Sequence, residues 1–253
     1  MYDFNAPRLY VPCSLTAQTP FDLDRAQANY LLNVLRLKDG DAVLVFNGRD
    51  GEWRCEIAVH GRKKASLSPR EQVRAQPAAY DLVYGFAPLK QARLDYMVQK
   101  AVEMGAGVLQ PVITEFTQVR KVSLERMRAN AVEAAEQCGI LNIPQINESL
   151  SLEQFVHDRS SHPMIFCDEG ERKVEPVAQL TAIGTGPKSL LIGPEGGFSA
   201  VEREMLRSLN NVCTISLGPR ILRADTAAVA ALSLVQACCG DWTLDESAQV
   251  IEL

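Results

Sequence analysis

Between residues 7 and 74, short apolar runs are broken by turn residues at strand-like intervals; from residue 80 onward, runs of strand length alternate with stretches of helical period. In the first part, residues 8–11 read as a short strand. Ala28, Leu31, Leu32 and Leu35 fall on one face of a helix over residues 24–36. The turn Lys38-Asp39-Gly40-Asp41 leads into a strand over residues 42–46. Asn47-Gly48 then turns the chain back into a strand over residues 52–59, a pairing that predicts a hairpin. A further strand is expected over residues 65–67. These elements predict a small antiparallel barrel. Residues 72–79, with Pro77, read as a linker.

The second part begins with a strand over residues 80–86. Leu94, Met97, Val98, Ala101 and Val102 then mark a helix, ended by Gly105 and Gly107. Strands follow at residues 108–113, 143–146, 163–168, 189–192 and 212–217. Between them lie helices at residues 123–138, after Ser151 (with Gln154), after Ser199 (with Glu202) and at residues 226–239. The Ser199/Glu202 and Ser151/Gln154 offsets are those of a capping box. Strands alternating with helices predict a parallel, doubly wound α/β sheet. The longest apolar helix, at residues 226–239, is too short to span a bilayer and reads as a core helix.

Two junctions stand out. Leu190-Leu191-Ile192 stops at Gly193-Pro194-Glu195-Gly196-Gly197, a loop almost free of side chains that opens a helix. The strand near residue 212 stops at Gly218-Pro219-Arg220-Ile221-Leu222-Arg223-Ala224-Asp225-Thr226, which opens the apolar helix. Glycine-rich loops let a ligand approach the backbone and its amides. Two of them, expected at adjacent strand ends of an open sheet, describe a ligand site. A dinucleotide fingerprint is missing, because Gly184-Thr185-Gly186 precedes a strand rather than a helix, and no Lys follows Gly196 or Gly197 as a phosphate-binding loop requires. The slot suits a flat heterocycle held by backbone groups. Its candidate lining is Leu191, Ile192, Gly193, Pro194, Glu195, Gly196 and Gly197 from one junction, and Ser216, Leu217, Gly218, Ile221, Leu222, Arg223, Ala224, Thr226 and Ala227 from the other. Asp225 reads first as the N-cap of the last helix. Asp168-Glu169-Gly170 either walls the slot or is a plain acidic loop.

Charge changes the picture of the first part only. The net charge is −5, yet residues 1–76 carry 11 Lys/Arg against 9 Asp/Glu and the remainder 15 against 22. Arg8, Arg36, Lys38, Arg62, Lys63 and Lys64 are candidate phosphate contacts, with Lys90 and Lys100 beyond the barrel. The 7 cysteines show no CxxC pair and the 3 histidines are scattered, so no metal site is expected. An odd cysteine count and an opening segment without a basic-then-apolar leader give the expectation of a reducing cytoplasm.

The two junctions together resemble the signature pair of SPOUT-class RNA methyltransferases. Within that class the chain is similar to the bacterial family that methylates N3 of a uridine in small-subunit (16S) ribosomal RNA. Val34-Leu35-Arg36-Leu37-Lys38-Asp39-Gly40-Asp41, residues 97–105 and Glu133-Ala134-Ala135-Glu136-Gln137-Cys138 carry the same resemblance, in order, from about Arg8 to Trp242. The chain departs from the family's pattern at Tyr30, where His is common, at Gly139-Ile140, where Arg is common, and at Asp225, where Glu is common.

The resemblance implies a PUA-like β-barrel over residues 1–74 for RNA binding. It implies a SPOUT domain over residues 75–253, a parallel sheet threaded at its C-terminal end as a trefoil knot. It also implies S-adenosylmethionine as cofactor, small-subunit ribosomal RNA or the assembled 30S particle as substrate, and a homodimer. Arg223, Asp225 and Glu195 are the candidate catalytic residues, Arg223 to hold the uracil or balance its developing anion. The alternative is a catalytically inactive RNA-binding protein of the same fold. Dimerisation is expected through the 226–239 helix, whose alanines 227, 228, 230 and 231 would admit a second copy closely.

Overall fold

The computed structural model describes residues 6–170 and 175–242. The opening segment read as lacking a leader, and the far ends of both expected domains, lie outside the described residues. The chain divides into two compact units. One comprises the described part of Met1–Ala78 together with Ala135–Asn142; the other comprises Ala79–Ala134 and the described part of Ile143–Ala248.

The first unit holds strands β1 (Arg8–Tyr10) and β2 (Phe21–Asp22), helix α1 (Arg25–Asn29), and strands β3 (Ala42–Phe46), β4 (Glu52–Gly61) and β5 (Lys64–Arg74). They form a five-stranded sheet in the order β1-β3-β4-β5-β2. The sheet is mixed rather than antiparallel, because β1 pairs parallel with β3. β5 runs to Arg74, through what the sequence presents as linker. Its end pairs with the start of β4 through polar, mostly exposed side chains, so no apolar pattern announces it. Leu9, Val43, Val45, Ile57 and Leu67 close over Ala28 and Leu31 of the helical segment.

That segment is not one α-helix. Asp24 caps α1 with a reciprocal Gln27 box, and the chain then widens into a π-helical turn over Tyr30–Val34. The extra residue in the wide turn breaks the 3.6-residue face. Leu35, expected inside with Ala28 and Leu31, is turned outward at 37% exposure, beside Val34 at 61%.

The second unit begins with β6 (Leu82–Phe86), α2 (Gln91–Glu103), β7 (Val108–Ile113), and α3 (Leu124–Cys138), whose last residues group with the first unit. It continues through β8 (Gln145–Ile146), β9 (Leu150–Ser151), α4 (Leu152–Asp158) and β10 (Met164–Cys167). Then come α5 (Pro176–Ile183), β11 (Lys188–Ile192), α6 (Ala200–Arg207), β12 (Val212–Ile215) and α7 (Ala224–Cys239). The strands run in the order β12-β10-β11-β6-β7-β8, with β9 beside β7, and every pairing is parallel. The two glycine junctions, after β11 and β12, are therefore not adjacent; β10 runs between them.

Val83, Phe155, Phe166, Leu191 and Phe198 form the core on one side of this sheet. On the other side, α7 packs against α2, α5 and β11 of its own chain. Ala228, Ala231 and Leu232 are fully buried there. The alanines read as an approach surface for a second copy thus divide: Ala228 and Ala231 face inward, while Ala230 is half-buried. The α7 N-cap is Arg223, not Asp225, and it makes no side-chain cap bond. Among the described residues, no helix is long and apolar enough to cross a membrane.

Candidate functional site

Three loops leave the carboxyl ends of neighbouring strands β10, β11 and β12 and close around one cavity. Parallel sheets place ligands at this edge. The cavity is lined by Cys167 at the end of β10 with Asp168 and Glu169 after it; Ile192 at the end of β11 with Gly193, Pro194, Glu195, Gly197 and Phe198 after it; and Ser216 to Leu222, Ala224 and Ala227 after β12, with Arg203 from α6. The space between its walls, open mouth included, is about 790 Å³.

The β11 loop is built to stay in place. Gly197 N–H donates to Pro194 C=O at 2.9 Å, closing a tight turn. Ser199 caps α6, and Glu202 returns the bond to Ser199 N–H at 2.9 Å. The other oxygen of Glu202 accepts from Glu115 N–H at 2.8 Å, tying the loop after β7 to the same corner. The Phe198 ring stands edge-on to Phe166, 5.0 Å between centroids. A Cβ on Gly193 would lie 2.5 Å from the Phe198 ring, and one on Gly197, where φ is +70°, would fall on the Glu169 carboxylate. Side chains at these two points would collapse the slot. Gly196 differs: its Cβ would meet Phe116 at an ordinary 3.4 Å, and it does not line the cavity.

The carboxylates at the site are paired. Glu195 Oε1 accepts from Arg93 of α2 at 2.9 Å. Asp168, its side chain fully buried, accepts from Arg207 at 2.7 Å and from Gly170 N–H at 2.9 Å, with Arg203 Nε 3.6 Å away. Glu169 accepts from Arg203 Nη2 at 2.8 Å. Burial among the strands pushes the Cys167 thiol well above its ordinary range, so it stands as a neutral S–H.

The structure thus brings together the sequence candidates Ile192, Gly193, Pro194, Glu195, Gly197, Ser216, Leu217, Gly218, Ile221, Leu222, Ala224 and Ala227. Leu191 is fully buried inside its strand, and Gly196, Arg223 and Thr226 lie outside the lining. Asp225 also lies outside; its carboxylate accepts from Thr226 N–H at 2.9 Å within the first turn of α7. Arg223 is exposed, not buried ahead of an apolar helix. Asp168 and Glu169 wall the slot rather than forming a free acidic loop. Cys167, Phe198, Arg203, Pro219 and Arg220 are lining residues that the sequence pattern does not single out. For Arg203 a signal exists: with Arg207 it forms an i, i+4 pair on α6, one basic face positioned to meet an acidic loop.

Among the basic candidates, Arg36, Lys38, Arg62, Lys63 and Lys64 are exposed on the first unit. Asn33 in the π-helical turn donates to Arg62 C=O at 3.1 Å, joining the turn to the β4–β5 hairpin that carries the three cations. Arg8 does not belong with them. Its side chain is 7% exposed and bonded at 3.1 Å to the fully buried Glu52, which Arg74 also holds at 2.8 Å. It is a structural ion pair. In the second unit Lys90 is exposed, while Lys100 is partly buried, bonded to Glu103 at 2.7 Å and seated over the Tyr96 ring.

A family model of the RNA methyltransferase domain matches residues 76–236, and one of the RNA methyltransferase PUA domain matches residues 23–69. The chain is 31% identical over 231 residues to ribosomal RNA small subunit methyltransferase E of Rickettsia conorii, covering 90% of this chain and 94% of that protein. It is 29% identical to the Bacillus subtilis protein of the same name, covering 85% and 89%. Among solved structures, a Legionella pneumophila methyltransferase in complex with the cofactor SAM is 27% identical with a TM-score of 0.80, covering 92% of this chain and 98% of that one. Ribosomal RNA small subunit methyltransferase E of Neisseria gonorrhoeae, bound to S-adenosyl methionine, shares the fold with a TM-score of 0.82 at 24% identity, covering 94% and 100%.

Proposed function

The chain belongs to the RNA methyltransferases of the ribosomal RNA small subunit methyltransferase E family, and from that premise we propose that it methylates N3 of a uridine in small-subunit ribosomal RNA with S-adenosylmethionine as donor. The observation that carries the reading is the cavity whose walls are loop backbone, kept open by the absence of a side chain at Gly193 and Gly197. Backbone amides and carbonyls of the β11 and β12 loops hold the heterocycle, with Ile192, Leu217, Leu222 and Ala227 as its apolar walls. The cofactor supplies a methyl group on a sulfonium, an electrophile that needs a nucleophile and no metal.

The nucleophile, N3 of uracil, is a weakly acidic N–H. All three carboxylates that line the cavity are engaged by guanidinium groups: Asp168 by Arg203 and Arg207, Glu169 by Arg203, Glu195 by Arg93. None is a free general base. The proton therefore passes to water, and Arg220 and Arg223, exposed cations of the β12 loop, lower the energy of the uracil anion. Glu195 acts by holding its loop to α2, and Asp225 by shaping the first turn of α7.

RNA binding falls to residues 1–74 and methyl transfer to residues 75–253. The C-terminal end of the sheet is threaded as a trefoil knot, a rare departure from unknotted topology. The order β12-β10-β11 supports this reading, since the chain between the two glycine loops must pass β10. The enzyme works as a homodimer.

The test is transfer of labelled methyl from S-adenosylmethionine to unmethylated small subunits and to naked ribosomal RNA, followed by nucleoside mass spectrometry. N3-methyluridine is the expected product. A methyl on another atom overturns the N3 assignment alone. RNA bound without transfer establishes the inactive alternative.

A further inference from the structure

One corner of the cavity differs from the rest. Most of the lining is backbone and apolar side chains, but Glu169 and Arg203 bring one charge of each sign to the wall formed by the β10 loop and α6. Their pairing leaves a donor over. Arg203 gives Nη2 to Glu169 at 2.8 Å, yet its Nε is buried with no hydrogen-bond partner. Nε lies 3.6 Å from Asp168, whose carboxylate is already satisfied by Arg207 and Gly170. A buried guanidinium N–H without an acceptor is destabilising, because it has lost its water and gained no bond in return. Such a donor in a folded protein calls for an explanation, and beside a cavity a ligand that supplies the acceptor is one.

The four groups Asp168, Glu169, Arg203 and Arg207 are balanced in charge, so the corner favours a ligand that is itself balanced. We propose that this corner is the subsite for the amino-acid head of S-adenosylmethionine, with Arg203 receiving the α-carboxylate and Glu169 the α-ammonium. The proposal rests on the cofactor reading above. Loop backbone recognises the heterocycle, and the charged corner fixes the opposite end, so the bound molecule is held at two points and its direction in the slot is set. Glu169 is suited to the exchange because its side chain is 45% exposed and rests against Gly197, within the same loop that holds the heterocycle.

The experiment is calorimetric titration of the full chain with three probes: S-adenosylmethionine, its decarboxylated analogue, and 5′-methylthioadenosine, which lacks the whole amino-acid head. The wild type is expected to bind S-adenosylmethionine about tenfold or more tightly than the decarboxylated analogue, the worth of one charge-assisted hydrogen bond. Arg203→Met is expected to remove that preference while leaving affinity for the analogue unchanged. Glu169→Gln, at a more exposed side chain, is expected to weaken both amine-bearing probes and to spare 5′-methylthioadenosine. Equal wild-type affinity for S-adenosylmethionine and its decarboxylated analogue overturns the subsite. So does a uniform loss for all three probes in Arg203→Met, or a preference abolished by Arg220→Met instead. Each of these leaves the methyltransferase reading standing, whereas a wild type that binds none of the probes overturns that reading and the subsite together.

Discussion

At the scale of single residues, the site is decided by what is missing from Gly193 and by a thiol held neutral at Cys167. A methyl group on Gly193 would press on Phe198, which is wedged against Phe166 and cannot retreat. Overpacking of this kind costs about 1–3 kcal/mol. Gly193→Ala is therefore expected to lower both the melting temperature and the affinity for S-adenosylmethionine, while Gly196→Ala, whose new methyl has ordinary contact distances, leaves affinity within about twofold. Calorimetry and thermal melts on the two variants check this, and equal behaviour would refute the assignment of the lining. The thiol of Cys167 supplies a second residue-scale test. Its pKa is raised by burial, so little thiolate exists near neutrality, whereas Cys138 is exposed at the surface. Alkylation followed by peptide mass spectrometry should mark Cys138 before Cys167.

At the scale of elements, α2 and α3 are joined by a carboxylate whose worth depends on pH. Asp95 accepts from Arg126 Nε at 3.0 Å and Nη2 at 2.7 Å, from Asn130 at 2.7 Å, and from Gln91 at 2.9 Å. The Arg126 bonds come first among the causes that hold the Asp95 carboxyl below its ordinary range. A group with a lowered folded-state pKa stabilises the fold above its unfolded value, near 4, and that contribution disappears as pH falls through the folded value. Asp95→Asn is expected to melt below the wild type at pH 7, the gap closing in acid below about pH 4. A gap independent of pH would mean the pair contributes by packing alone.

The same scale shows what the sequence can and cannot disclose. The alternation of strands and helices beyond residue 80 is legible because buried parallel strands such as Met164–Cys167 are apolar throughout and helices are capped by local chemistry at Ser151 and Ser199. Helix α5 gives no such signal. It starts at Pro176 with no side-chain cap and buries only Leu180, so it leaves no apolar stripe to read. The strands β2 and β9 are two residues long and fixed by their partners alone. In the site, the glycine loops are visible because their chemistry is local. The wall of Asp168, Glu169 and Arg203 is legible only in part: the acidic loop stands as one of two readings, because its place at the slot depends on β10 lying between β11 and β12, a matter of sheet order that no neighbouring residues encode.

At the scale of the whole molecule, the proposed RNA binding and the proposed dimer each make a prediction. Arg62, Lys63 and Lys64 are exposed on the hairpin tip, joined through Asn33 to the turn that carries exposed Tyr30, Val34 and Leu35. Cations beside exposed aromatic and apolar groups match a single-stranded RNA surface. Replacing all three with alanine is expected to reduce the slope of log affinity against log salt by about 2, at about 0.7 for each phosphate no longer neutralised. Affinity for S-adenosylmethionine should not move. Filter binding across a salt series measures the slope, and an unchanged slope would remove these residues from the interface.

The proposed second copy would sit on the outer face of α7. Its inner face is used up by α2, α5 and β11, and Ala231 belongs to that face with no exposure. Ala231→Arg would thus disrupt the core and reveal nothing about assembly. The outward stripe is Thr226, Val229, Ala230, Ser233, Leu234 and Ala237, small or apolar at nearly every position. Ala230 and Leu234 continue into a shallow depression lined by Leu217, Gly218 and Pro219 of the β12 loop. A copy seated on this stripe by a twofold axis would cover it with an identical stripe and press on the loop that lines the cofactor cavity. Assembly and activity are then coupled through the β12 loop. Ala230→Arg is expected to give a folded monomer, with a melting temperature near the wild type extrapolated to low concentration, and with methyl transfer reduced at least tenfold, an effect of about 1.4 kcal/mol. Ala231→Arg is expected to fail to fold at all. Sedimentation together with methyl-transfer assays on the two variants decides the matter: an Ala230→Arg protein that remains dimeric places the interface elsewhere, and an active monomer breaks the coupling.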